Sequence, residues 1–216
     1  LITYNKLLVQ RNTLLKQFAE RNSFDRDALE VYNEQLVAHG KRIHKRRSEL
    51  VEQFIPEFQR YYAFISGKAE EVSIDYRSQL NDNDFGLLLG EALVKDRMLQ
   101  YTTVGIHKDD LVLKIGEYPV KKFGSQGQQK SVVVALKLGQ FDFIKSAKDF
   151  MPLLLLDDIF DRLDPGRIEK LMQLVSDHNF GQIFITHTHR ARLERILGDI
   201  DVEHRFFDVT SGNIST

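Results

Sequence analysis

The run Leu153-Leu154-Leu155-Leu156-Asp157-Asp158 constrains this chain more than any other stretch. Four consecutive leucines offer no polar face to water, so a strand built from them belongs to a parallel sheet covered on both faces. A helical pattern from Lys130 to Lys145 precedes this run, and another from Pro165 to Ser176 follows it. A second apolar strand, Gln182 to Thr186, comes next, and helix Arg190 to Leu197 and a strand Arg205 to Val209 close the chain. Short apolar strands alternating with helices predict an α/β lobe whose mostly parallel sheet is flanked by helices. Ligands of such folds sit beyond the carboxyl ends of the strands, and that end here carries Asp157 and Asp158.

The N-terminal part follows a different rule. Residues 1 to about 65 contain no Gly or Pro before Gly40, and Leu7, Leu8, Leu14, Leu15 and Phe18 recur at helical intervals. Asn22-Ser23-Phe24-Asp25 supplies turn and N-cap residues, after which Leu29, Leu36, Ile43 and Leu50 repeat every seven positions. Two long helices joined by a short turn predict an antiparallel helical hairpin. Between this hairpin and the lobe, Val72 to Tyr76 alternates as a strand, Leu80 to Asp84 reads as a polar loop, and Phe85 to Leu99 returns to helix. Tyr101 to Gly105 and Asp110 to Ile115 then look like paired strands around a polar turn. The expected divisions are a hairpin over 1–66, a mixed connecting region over 67–122 and the lobe over 123–216.

Composition narrows the functional classes. The chain has 216 residues and a formal net charge of -1, so no global basic field announces nucleic acid. It lacks cysteine, which excludes disulfides and thiolate metal sites and fits a reducing compartment. No apolar run approaches the ~20 residues that span a bilayer, and the expected location is the cytoplasm.

The chemistry-bearing residues lie in the lobe. An acid at the end of an apolar strand is where nucleoside triphosphatases keep the Walker B aspartate that helps hold Mg²⁺, which is Asp157 here. Asp158 follows in the place of a general base. A phosphatase using an aspartyl-phosphate needs its second acid two residues after the first, and Ile159 stands there instead. Upstream, Phe123-Gly124-Ser125-Gln126-Gly127-Gln128-Gln129-Lys130 opens a helix with small residues that let backbone N–H groups approach a phosphate. Downstream, Asp161-Arg162-Leu163-Asp164-Pro165 is an acidic turn in which Asp164 precedes a helix begun by proline. His187 ends the second apolar strand, where an imidazole can meet a γ-phosphate or an attacking water. A rival use of His187, with His189 and Asp157, is a metal centre of a hydrolase.

Loop, helix, acid-bearing strand, turn and strand-end histidine occur in the order of the signature motif, Walker B, D-loop and switch of ABC-type ATPases. The motif wording resembles the RecF family over roughly residues 101 to 189, including Thr102-Thr103-Val104-Gly105-Ile106-His107-Lys108-Asp109-Asp110-Leu111 and Gly181 to Thr186. Ile106, Lys108 and Asp161 depart from the usual wording. The resemblance implies the C-terminal portion of a DNA replication and repair ATPase of the SOS response to DNA damage. It implies ATP and Mg²⁺ as cofactors and an ATP-dependent homodimer. It also implies binding to single-strand gaps or junctions in DNA, with RecR and RecO as partners.

By that resemblance Asp158 and His187 are catalytic, Asp157 holds the metal, and Ser125, Gln126, Gly127 and Gln128 complete the nucleotide site of the opposite subunit. Asp164 belongs to the D-loop. No Gly-x-x-x-x-Gly-Lys-Ser/Thr loop occurs in the chain, so alone it is expected neither to bind ATP tightly nor to hydrolyse it. A non-hydrolytic module for partner docking is the alternative. Lys41, Arg42, Lys45, Arg46 and Arg47 fall within seven residues and offer a local patch for DNA phosphates.

Overall fold

The computed structural model describes residues 1–148, 150–161, 163–176, 180–198 and 203–215. The chain divides into two compact units, one of Leu1–Pro56 with Ser73–Lys114 and one of Glu57–Val72 with Ile115–Thr216.

The first unit is built on the hairpin. Helix α1 (Ile2–Glu20) ends in a turn, and α2 (Arg26–Ser66) begins where Asp25 accepts a hydrogen bond from the Ala28 N–H at 3.0 Å. The two helices run antiparallel: Arg11 donates to Asn33, and Tyr4 lies beside Gly40. Helix α2 continues through Pro56, which lacks the N–H that a helix interior uses. Strand β1 (Val72–Arg77) follows, then α3 (Phe85–Glu91), α4 (Leu93–Leu99) and β2 (Asp110–Ile115), with β1 and β2 hydrogen-bonded neighbours. The seven-residue leucine repeat is a core stripe: Leu29 and Leu36 are buried, whereas Leu50 at its end is 51% exposed. Leu36 packs in one cluster with Tyr4, Leu7, Phe85, Leu89 and Ile106.

Two expectations need correction here. The single helix predicted over Phe85 to Leu99 is two helices that break at Ala92. The strand predicted over Tyr101 to Gly105 is irregular backbone, because side chains take its donors. The Thr102 N–H donates to Asn12 at 2.7 Å, the Thr103 N–H to Asp96 at 2.8 Å and the Gly105 N–H to Gln79 at 3.1 Å. Asp96 also receives Arg11 at 2.7 Å, an ion pair whose two side chains are wholly buried. Each partner of such a pair holds the other in a state that would be costly alone.

The second unit contains β3 (Tyr118–Pro119), α5 (Val120–Phe123), α6 (Gln126–Lys148), β4 (Leu154–Asp157), α7 (Pro165–Ser176), β5 (Ile183–Thr186) and α8 (Arg190–Gly198). Its core gathers Phe58, Tyr62, Leu138, Phe141, Phe160 and Phe180, with the Phe141 and Phe180 rings edge to face at 5.1 Å. Strands β4 and β5 pair in parallel, Leu154 with Ile183 through Asp157 with Thr186. Burial alternates along β4: Leu154 and Leu156 are each 5% exposed, Leu155 68%. Cover on both faces is expected from four leucines in a row; among the described residues Leu155 and its face of β4 stay exposed. The last predicted strand is a hairpin instead, β6 (Asp208–Thr210) antiparallel to β7 (Asn213–Ser215). No helix among the described residues is long and apolar enough to cross a membrane.

Gly40 tests the packing of the first unit. A Cβ there would meet the fully buried Phe85 ring at 2.5 Å. Alanine in place of a mid-helix glycine ordinarily stabilises by roughly 0.5–1 kcal/mol, but overpacking a core costs about 1–3 kcal/mol. Gly40→Ala is therefore expected to destabilise the protein in denaturant melts, and a gain in stability would contradict this packing.

Candidate nucleotide-site half

Parallel pairing brings the two strand ends to one place. Asp157, the last residue of β4, is opposite Thr186, the last of β5, and the Thr186 hydroxyl donates to the Asp157 carboxylate. The Asp158 N–H donates to the Thr186 carbonyl at 3.2 Å and so extends the parallel ladder one residue past the strand. Asp158 takes φ +45°, a left-handed conformation that costs most residues energy and that Asp tolerates better than most.

His187 follows Thr186 directly. Its side chain is fully buried, with Nδ1 3.8 Å from Asp158 and 3.9 Å from Asp161. Those distances exceed hydrogen bonds, and both ring nitrogens lack a partner. An imidazole buried in this way retains one acceptor or donor at each nitrogen for another group. His189 stacks edge to face on His187 at 5.9 Å. Among the described residues no group of three or more His, Asp or Glu side chains could hold a metal ion, so His187, His189 and Asp157 do not assemble a zinc-type centre.

The glycine-rich loop forms a reciprocal cap at the start of α6. The Ser125 N–H donates to Gln128 Oε1 at 2.7 Å, and the Gln128 N–H donates to Ser125 Oγ at 3.2 Å. This Ser-x-x-Gln arrangement satisfies two N–H groups at the start of the helix. Gly124 is required by space, since a Cβ there would sit 2.7 Å from the Val120 carbonyl oxygen. Gln128 also donates to Glu70 at 2.9 Å, while Gln126 and Gly127 occupy the first turn. Asp164 caps α7 by accepting from the Arg167 N–H at 3.0 Å; Arg162, in the same turn, lies outside the described residues.

The basic run of α2, in the first unit, is divided in its use. Lys41 pairs with Asp84 at 2.5 Å, and Arg47 with Asp109 at 2.7 Å. Lys45 and Arg46 share Glu49 at 4.0 and 3.6 Å and remain 79% and 86% exposed. Arg42, Lys45, Arg46 and Arg47 line an open cavity of about 740 Å³ together with Leu1 and Leu50.

Thr186, Glu70 and Arg167 escaped the sequence reading. Thr186 could have been found, because both apolar strands end in a polar residue and parallel pairing sets those ends side by side. Nothing in the sequence links Glu70 with Arg167.

A parallel strand pair that delivers two carboxylates beside a buried histidine, in one unit with a long helix opened by a capped Ser-Gln-Gly-Gln segment, is the arrangement of an ABC-type ATPase head. Curated relatives named DNA replication and repair protein RecF match nearly all of the chain. That of Flavobacterium johnsoniae is 48% identical over 209 residues, 97% of this chain and 58% of the relative. That of Phocaeicola vulgatus is 44% identical over 216 residues, 100% of this chain and 57% of the relative. A solved structure of the recombination mediator protein RecF with ATP superposes with TM-score 0.80 at 29% identity, over 99% of this chain and 56% of that one. Its ATPrS counterpart gives 0.77 at 28% identity over the same shares. No protein-family model matches. By sequence and by fold the chain is similar to the RecF proteins, and it spans a little over half the length of those it matches.

Glu70 gives the site a pH signature. Burial pushes its carboxyl up, but hydrogen bonds from Tyr62 and Gln128 and the Arg167 charge outweigh this and hold it below the usual carboxylate range. A folded value below the unfolded one means that ionised Glu70 stabilises the fold fully above the unfolded value of about 4.3. That contribution is lost as pH falls through the folded value. Denaturant melts of the protein and of Glu70→Gln are thus expected to differ at pH 7 and to converge on acidification; a gap constant with pH would contradict the assignment.

Proposed function

We propose that this chain supplies the signature and Walker B halves of a composite ATP site in a RecF-type protein that acts on DNA during replication and repair. The observation that carries this reading is the gathering of Asp157, Asp158, Asp161 and His187 at one end of the β4–β5 pair, with neither His187 nitrogen hydrogen-bonded. Homology to RecF supports it, as does the solved likeness to RecF with ATP. The exposed apolar partners Leu155 and Phe184 also support it, since the relatives' length beyond the matched share is available to cover that face.

Asp157 fits a Mg²⁺ ion that is held by one or two carboxylates and by phosphate oxygens. The ion, when bound, neutralises phosphate charge. Asp158 orients the attacking water and accepts its proton. His187 offers an unpaired ring nitrogen toward the γ-phosphate. Ser125, Gln126, Gly127 and Gln128 face the nucleotide of a second subunit in an ATP-dependent homodimer, and Asp164 shapes the neighbouring D-loop. RecR and RecO are the protein partners that the family resemblance implies, and the cytoplasm is the expected location.

Asp158→Asn in the full-length protein is expected to preserve ATP-driven dimerisation while lowering turnover by roughly 10²-fold or more, the usual contribution of a general base. Steady-state ATPase assays with sedimentation check this, and unchanged turnover would remove Asp158 from the mechanism. An intact dimer with no DNA-stimulated hydrolysis in the unmutated protein would favour the partner-docking alternative.

For DNA, Arg42, Lys45 and Arg46 are the members of the basic run best placed to meet phosphates, because Lys41 and Arg47 pair with acids of other segments, whereas Lys45 and Arg46 share only Glu49 of their own helix and stay exposed. Replacing all three with alanine is expected to weaken DNA binding regardless of sequence and to reduce the slope of log K against log salt by about one per lost phosphate contact. A titration series with an unaltered slope would place the DNA elsewhere.

A further inference from the structure

The segment Gly124–Gln128, which runs into the first turn of α6, and the turn at Leu163–Pro165 are distant in sequence but meet in one polar cluster. Arg167, 15% exposed, stands at its centre and uses every nitrogen of its guanidinium. Nη1 donates to Ser131 Oγ at 2.8 Å, Nη2 pairs with Glu70 at 3.2 Å, and Nε pairs with Asp164 at 3.1 Å. Ser131 in turn donates to the Gly127 carbonyl at 2.9 Å. Glu70 receives Gln128 at 2.9 Å as well as the Tyr62 hydroxyl. The Gln128 side chain is used at both ends, since its oxygen already holds the Ser125 N–H at 2.7 Å. Through Arg167 and Glu70 the cluster thus ties the start of α6 to the start of α7.

We propose that Glu70 and Arg167 are positioning residues that lock the 124–128 loop to the 163–165 turn, so that both meet a second subunit as one rigid surface. This rests on the reading that these two segments face the partner across a composite ATP site. Two loops already fixed to each other lose less conformational freedom on association than two loops ordered separately. Arginine suits the task because its planar fork serves three acceptors in fixed directions, which a lysine ammonium cannot reproduce. The cluster's partial burial shields the ion pair from salt more than an exposed pair would be shielded.

The test uses the full-length protein, Glu70→Gln, Arg167→Lys and the double variant, each confirmed as folded at the assay temperature by circular dichroism. Glu70→Gln keeps the shape but removes the charge and turns one accepting oxygen into a donor; it serves if Arg167→Lys fails to fold, and the reverse holds. Sedimentation velocity reads ATP-dependent dimerisation, and a fluorescent nucleotide reads ATP affinity of the monomer. Each single variant is expected to dimerise about tenfold more weakly with monomer affinity unchanged, and the double variant to be no worse than the weaker single, as expected for residues acting as one unit. Variants that dimerise like the unmutated protein overturn the proposal. So does a loss of dimerisation matched by an equal loss of monomer ATP affinity, since that is the mark of general structural damage. An unmutated protein that stays monomeric with ATP overturns the composite-site reading itself, and this inference with it.

Discussion

Parallel pairing of β4 with β5 is the constraint on which the rest of the site depends. In a parallel pair both carboxyl ends emerge at the same edge, so residues 29 positions apart, Asp157 and Thr186, become neighbours. The same register sets Asp158 and His187 one step beyond the strands. An antiparallel pair would send the histidine to the opposite end, and no change of side chains could recover the cluster. Among the described residues the pairing also leaves one face of the strands exposed. Leu155 and Phe184 are register partners and are 68% and 46% exposed, whereas parallel strands are normally covered on both faces.

Much of this organisation is legible in the residues. The hairpin follows from helical spacing and from an Asx cap at Asp25, both local properties. The Ser125–Gln128 cap and the Asp164 cap are likewise local, since donor and acceptor lie within three residues. Four leucines ending in two aspartates point to a strand and to its functional end before any pairing is known.

What was not legible depends on contacts between distant residues. Tyr101 to Gly105 alternates like a strand, but Asn12, Asp96 and Gln79 capture its N–H groups from elsewhere in the first unit. The basic run of α2 reads as five equivalent cations, yet Asp84 and Asp109 withdraw two of them into internal pairs. Glu70 and Arg167 are 97 residues apart and carry no motif, so only the fold reveals that they join the start of α6 to the turn before α7. Periodicity reports which face a residue takes, not which remote partner it meets there.

The central claim is that this lobe holds half of an ATP site whose other half comes from a second subunit. Mixing two inactive full-length variants tests it most directly. Asp158→Asn disables the hydrolytic half, and Ser125→Arg disables the signature half. If sites are shared across a symmetric dimer, half of the randomly mixed dimers contain one site free of both defects, and about a quarter of normal ATPase activity returns. A mixture no more active than either variant alone would contradict the shared site.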